Sequence, residues 1–119
     1  QYHAAFKKLD ISGAIRRPVI PMCCDHNAHL YYLMLSTLDD RAYFIEAMKT
    51  NGTLCVFHYV PLHRASAIRQ KSQIMDSLPV TSSYADRIVR LPLWLGLEAQ
   101  QEYIIQSAVQ ILEKRPRVP

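Results

Sequence analysis

Two apolar stretches that carry histidine constrain the fold of this chain more than any other feature. The first covers residues 27–33, N-A-H-L-Y-Y-L, and the second covers residues 56–63, V-F-H-Y-V-P-L-H. Each is typical of a β-strand, but neither can be wholly buried, because imidazole and phenol groups need hydrogen-bonding partners. We therefore expect each strand to leave a core and to bring polar rings to a surface.

The segment between these stretches predicts a helix over residues 38–50. Ser36 and Thr37 can cap its start, and Asp39 and Asp40 suit the positive end of the helix dipole. The pair Asn51-Gly52 is typical of a helix C-terminus. With strands predicted over residues 29–35 and 53–59, the centre of the chain is a strand–helix–strand unit.

The remaining elements lie on either side of this unit. We expect a helix over residues 1–12, an irregular segment over 61–80 with a short helix around 65–71, and a short helix through Arg87 capped by residues 81–83. A strand over residues 88–91 should end at Pro92 or be pushed by it to a sheet edge. A long amphipathic helix over 97–113 and a loose tail over 114–119 complete the chain.

These elements predict a small α+β fold, a two-layer sandwich of about three strands with helices packed on one face. The length of 119 residues suits a single domain, residues 1–119. The predicted core consists of Leu30, Tyr32, Met34, Phe44, Ile45, Met48, Leu54, Val56, Leu91, Ile104, Ala108 and Ile111.

Charge and composition disfavour several classes of protein. The net charge is +4, but the basic residues are scattered and form no basic arm, so nucleic-acid binding is not expected. No apolar run reaches the roughly 20 residues that a membrane span needs. Three cysteines do not make a disulfide framework, which favours a reducing cytoplasm. The first residue is Gln, which suggests a piece of a longer protein.

The residues Cys23, Cys24, His26 and His29 form a cluster of possible metal ligands. Thiolate and imidazole are the ligands that zinc prefers, but the second half of a usual zinc module is missing. The simpler interpretation is a loop that leads into a strand. The sequence therefore predicts no metal site.

Catalytic motifs are largely missing, and this directs attention to the second histidine stretch. There is no G-x-G-x-x-G, P-loop or G-x-S-x-G motif, and no lysine lies in an apolar setting that would lower its pKa. His58, Tyr59, His63 and Arg64 lie at the exit of one predicted strand, and Pro61 stiffens the loop between them. Such a loop suits a ligand with phosphates or sugar hydroxyls.

An ordered series of motifs resembles a known family. H-N-A-H-L-Y-Y-L, L-D-D-R, V-F-H-Y-V-P-L-H, I-V-R-L-P-L-W and a final long helix are similar to the C-terminal domain of the PLP-dependent nucleotide-sugar aminotransferases, the TDP-4-oxo-6-deoxy-D-glucose transaminases among them. The resemblance covers about residues 1–113.

The resemblance implies a parent enzyme that passes an amino group, from glutamate, to a TDP-4-keto-6-deoxy sugar. It implies a large domain that binds PLP, followed by this small domain, and a cytoplasmic homodimer with active sites at the subunit interface. By the matching motif, His58, Tyr59 and His63 would bind the nucleotide-sugar, with Arg64 as a further candidate. His29 would be structural or near the cleft. The chain itself would hold no catalytic or cofactor-binding residue and would be inactive alone.

A second hypothesis is a free-standing α+β binding or regulatory module without catalysis. The two hypotheses differ in what should precede Gln1 in the gene: a large domain with a cofactor-binding lysine, or the start of translation. The fragment hypothesis also predicts exposed apolar side chains where the large domain and a second subunit would pack.

Overall fold

Short helices and strands alternate along the chain in the computed structural model, which describes residues 1–66 and 78–115. The elements are α1 (Tyr2–Ala5), α2 (Lys7–Ile11), β1 (Tyr31–Met34), α3 (Leu38–Thr50), β2 (Val56–Phe57), a 3-10 turn (Leu62–Arg64), α4 (Pro79–Arg87), β3 (Ile88–Leu91) and α5 (Glu98–Lys114).

Within the described residues the strands form one antiparallel sheet in the order β1-β3-β2. Strand β3 therefore lies in the middle, with Arg90 opposite Tyr32 on one side and opposite Val56 on the other. The predicted end of this strand before Pro92 is confirmed, but the alternative of an edge position is wrong. Pro92 lies beyond the last residue pair, so its missing N–H removes no hydrogen bond from the sheet.

The predicted α+β fold is confirmed, with helices packed on one face of the sheet. Helix α3 contacts β3, α4 and α5, and buried side chains of α3 and α5 meet those of the sheet. The short helices α1 and α2 add aromatic and aliphatic side chains to the same core. The core consists of Tyr2, Phe6, Leu9, Ile15, Leu33, Leu35, Phe44, Met48, Cys55, Val89, Leu91, Leu97, Ile104, Ile105, Ala108 and Ile111.

Helical core positions were predicted better than those in strands. The predicted Phe44, Met48, Ile104, Ala108 and Ile111 are buried, as are Met34 and Leu91, and Ile45 is partly buried against them.

In β1 the side chain of Leu33 is fully buried, whereas the predicted Leu30 and Tyr32 are only half-buried. Before and within β2, the predicted Leu54 and Val56 are 71% and 39% exposed, and Cys55 between them is 1% exposed. The prediction before and within β2 was wrong by one residue, and because side chains alternate between faces, this slip exchanges the buried and exposed sets. In β1 the predicted Met34 is buried, and Leu33 and Leu35 on either side of it are buried as well.

Helix boundaries follow local chemistry. Thr37 caps α3 as predicted, because its Oγ1 accepts a hydrogen bond from the Asp40 N–H at 3.0 Å and donates one to the Asp40 carboxylate at 2.7 Å. Helix α4 begins earlier than predicted, at Pro79, so residues 81–83 lie inside the helix and the predicted cap is wrong. Proline favours the first helical position because its φ angle is already helical.

Four further predictions differ from the structure or lie wholly or largely outside the described residues. The predicted helix over residues 1–12 is divided at Phe6 into α1 and α2. Strand β2 is confined to two residues of the predicted 53–59. The predicted short helix around residues 65–71 lies largely outside the described residues, as does most of the predicted tail.

Candidate functional site

Among the described residues, one face of the sheet is partly uncovered, and it carries a row of three paired side chains. Tyr32, Arg90 and Val56 lie directly opposite one another across the three strands, so they share a face. None of the three is fully buried. On the other face the Leu33–Val89 pair is completely buried under the helices. The open row is therefore available for contact with another molecule or domain.

His58 and Tyr59 follow β2 at this open face. Their rings contact each other edge to face, with centroids 4.6 Å apart, and the Arg90 guanidinium lies 5.9 Å from the centre of the Tyr59 ring. His58 is half-buried, whereas Tyr59 is 67% exposed. Partial burial lowers the pKa of His58, and the positive charges of Arg90 and His29 lower it further. The structure thus brings together two predicted residues, His58 and Tyr59, with Arg90 and His29.

His63 and Arg64 are held differently, by contacts from the 3-10 turn to α4. The Nε2 atom of His63 lies 3.1 Å from Ser82 Oγ, at hydrogen-bonding distance. Arg64 donates two hydrogen bonds to the carboxylate of Asp86, at 2.7 and 3.2 Å. These bonds lower the pKa of Asp86 and raise that of Arg64. The 3-10 turn that carries His63 and Arg64 therefore contacts α4 through both side chains.

The cysteine and histidine cluster before β1 does not converge on one point. The sulfur atoms of Cys23 and Cys24 are 4.0 Å apart, while His26 Nδ1 accepts a hydrogen bond from the N–H of Ala28 at 3.1 Å. His29 Nδ1 lies 2.8 Å from Asn27 Oδ1. Within residues 1–66 and 78–115, no group of three or more histidine, cysteine or acidic side chains is placed to hold a metal ion. The zinc interpretation gains no support.

The described lysines do not form a cofactor site. Lys7, Lys8, Lys49 and Lys114 are all exposed, and Lys71 lies outside the described residues. A lysine that bonds covalently to PLP usually lies in an enclosed site that excludes water. No lysine of the described residues is enclosed in this way, so none of them fits that role.

Sequence reasoning missed Arg90. It was placed in the strand over residues 88–91 without any role, although a single charge between two apolar residues of a short strand is a usable signal. Val89 and Leu91 are 0% and 5% exposed, so Arg90 must point to the other face of the sheet.

Comparison of the sequence with models of protein families identifies the family. A model of the DegT/DnrJ/EryC1/StrS aminotransferase family matches residues 1–110. The chain belongs to this family. The resemblance drawn from the sequence motifs is thereby confirmed at the level of the family.

Solved structures of aminotransferases share the fold of this family member. DesV of S. venezuelae, solved with a ketimine intermediate, has a TM-score of 0.82 at 23% identity over 97% of this chain. TlmJ of Streptoalloteichus hindustanus has a TM-score of 0.79 at 22% identity over 94%. Helicobacter pylori PseC, an aminotransferase involved in the biosynthesis of pseudoaminic acid, has a TM-score of 0.77 at 20% identity over 96%. This chain spans 30% of the length of each.

Proposed function

We propose that this chain is the small C-terminal domain of a PLP-dependent sugar aminotransferase. The observation that carries the proposal is the family match over residues 1–110, in a chain that spans only 30% of similar solved aminotransferases. In this proposal a large domain, absent from this chain, binds PLP. PLP supplies the carrier for the amino group, and this domain supplies part of the wall that holds the sugar substrate.

The substrate of the parent enzyme is a TDP-4-keto-6-deoxy sugar, and glutamate is the amino donor. His58 and Tyr59 contact the nucleotide-sugar from the open face of the sheet, while His63 and Arg64 line the cleft from the turn that Ser82 and Asp86 hold. The exposure of Tyr59 and the half-burial of His58 support this role, since rings sealed in the interior could not meet a substrate.

The large domain and a second subunit of a homodimer would cover apolar side chains that are now exposed. Val60 and Leu62 in the loop after β2 are 56% and 76% exposed, and Trp94 and Leu95 after β3 are 58% and 98% exposed. Such side chains near a functional face commonly mark packing surfaces. The parent is proposed to be cytoplasmic. In the parts of the chain that the structure describes, no helix combines the length and the apolarity needed to cross a bilayer.

Two measurements test the proposal. The DNA upstream of the codon for Gln1 should encode about 250 residues with a PLP-binding lysine, and the protein made from the whole reading frame should consume glutamate only when the keto-sugar nucleotide is present. A reading frame that begins near Gln1 would instead favour the free-standing binding module.

The isolated chain supplies the matched control. The 119-residue chain mixed with PLP should show neither a cofactor absorbance band beyond that of free PLP nor any amino transfer. A new band that survives gel filtration would contradict the assignment of the cofactor to the absent domain.

A further inference from the structure

Arg90 is a half-buried cation without an acidic partner among the described residues. Three other described arginines do pair with carboxylates: Arg17 with Asp10 at 2.8 Å, Arg64 with Asp86 at 2.7 Å and Arg115 with Asp40 at 2.8 Å. The guanidinium of Arg90 instead lies against the ring of Tyr59. A half-buried guanidinium loses part of its hydration, which costs free energy. An anion bound beside Arg90 would offset this cost.

The neighbours of Arg90 are donors or further cations. The charges of Arg90 and His29 both act on His58, and the side chain of Tyr59, which carries a hydroxyl that can donate, is 67% exposed. Tyr32, the cross-strand neighbour of Arg90, adds a second phenol to the same face. No carboxylate of the described residues contributes to the pKa shift of His58, so the local field is positive.

We propose that Arg90, His58 and Tyr59 form a binding site for a phosphate group on the open face of the sheet. The inference rests on the proposed function, in which this face meets a nucleotide-sugar, and it assigns the diphosphate of that substrate to Arg90. A carboxylate has two oxygens, which one guanidinium satisfies, whereas a phosphate can also accept hydrogen bonds from an imidazole and a phenol. The surplus of donors therefore favours phosphate over the carboxylate of the amino donor.

Protonation of His58 is coupled to this binding. Partial burial, together with the charges of Arg90 and His29, favours the neutral imidazole of His58 when no phosphate is bound. A bound phosphate faces His58 with negative charge and favours the imidazolium form. Binding therefore raises the pKa of His58, which is a readout that a purely structural role for Arg90 would not produce.

The test is an NMR titration of the 119-residue chain with inorganic phosphate, thymidine diphosphate, thymidine and glutamate. We expect phosphate and thymidine diphosphate to shift the side-chain signals of Arg90 and His58 and to raise the pKa of His58. Thymidine and glutamate should leave these signals in place. Glutamate binding more tightly than phosphate would overturn the proposal, as would an unchanged pKa of His58 at high phosphate concentration.

The affinity of variants for thymidine diphosphate distinguishes a specific site at Arg90 from a general attraction to a positively charged protein. Arg90→Gln should weaken thymidine diphosphate binding about tenfold or more, since a charge-assisted hydrogen bond contributes that much. Arg16→Gln removes one charge from an exposed arginine and should change affinity less than twofold. Equal losses in both variants would overturn the proposal. Arg90→Lys keeps the charge in the strand and should retain part of the affinity, which keeps the test valid where Arg90→Gln fails to fold.

The titration is independent of the aminotransferase assay. Phosphate binding that depends on Arg90, together with a whole reading frame that transfers no amino group, would uphold the anion site and refute the proposed function. Amino transfer by the protein from the whole reading frame, together with phosphate binding that does not depend on Arg90, would support the proposed function and refute the anion site.

Discussion

Arg64 and Asp86 form a two-point ion pair that joins the turn after β2 to helix α4, with N–O distances of 2.7 and 3.2 Å. The two residues are 22 positions apart in the sequence. Helix α4 leads directly into β3, the central strand that carries Arg90. The pair therefore links the turn that holds His63 to the helix that precedes the strand of Arg90.

The first prediction concerns the pKa of Asp86. Arg64→Gln should raise this pKa towards the usual value for an aspartate, because hydrogen bonds from Arg64 are the main cause of its lowering. Since the folded-state pKa is lowered, the pair stabilises the fold above the unfolded pKa of about 3.9, and this contribution is lost as the pH falls through the folded pKa.

Carbon NMR of the Asp86 carboxyl measures this pKa directly in each variant. Arg16→Gln serves as the control, because Arg16 does not contribute to the shift and its loss should leave the pKa of Asp86 as it is. An Asp86 pKa that is the same in Arg64→Gln and in the parent chain would contradict the ion pair.

The second prediction compares two leucines that differ in burial. Leu33→Ala should lower the free energy of unfolding by about 2–5 kcal/mol, because it leaves a cavity in the core. Leu54→Ala should change it by less than about 0.5 kcal/mol, because Leu54 is 71% exposed. Urea denaturation of both variants measures the difference. Equal destabilisation would show that the register of β1 or β2 differs from the one described.

The third prediction concerns the start of α3. Thr37→Ala should destabilise the fold by about 1 kcal/mol, because the Asp40 N–H loses its hydrogen-bond acceptor. Ser36→Ala is the matched control, since Ser36 is exposed and precedes the capping position, and it should have an effect below about 0.5 kcal/mol. Thermal and urea unfolding measure both values. A larger loss of stability in Ser36→Ala than in Thr37→Ala would show that Ser36, and not Thr37, caps α3.

The fourth prediction concerns thiol reactivity. Burial raises the pKa of the Cys55 thiol to about 12, so this group should stay protonated and unreactive in the folded chain at pH 8. Cys23 and Cys24 are exposed and should react with a thiol reagent within the time of mixing. Mass spectrometry of peptides after brief labelling distinguishes the three sites. Labelling of Cys55 in the folded chain as fast as that of Cys23 would contradict the burial of Cys55. After denaturation we expect all three cysteines to be labelled.

Local patterns were enough to place most of the elements. Helix α3, helix α5 and strand β3 lie within one residue of their predicted bounds, because hydroxyl caps, apolar periodicity and Pro92 act over a few neighbouring residues. The motif series was enough to identify the family, as the match over residues 1–110 confirms. In the candidate site, the sequence singled out the neighbours His58 and Tyr59, whose rings contact each other edge to face.

The tertiary structure decided which side of each strand faces the core. Sequence alternation in β1 and β2 is weak, since Leu30 to Leu35 are all apolar or aromatic, so either register looks acceptable before the strands pair. Pairing with β3 and packing under α3 and α5 select the register that buries Leu33 and Cys55.

The sequence by itself determined the α+β class, the family and the order of the elements, because these depend on short-range patterns of residues. Only the folded chain placed Arg90 beside Tyr59 and joined Arg64 to Asp86. The reason is physical: contacts between residues more than 20 positions apart arise from the packing of whole elements, and a shift of one residue in a strand moves a side chain to the opposite face.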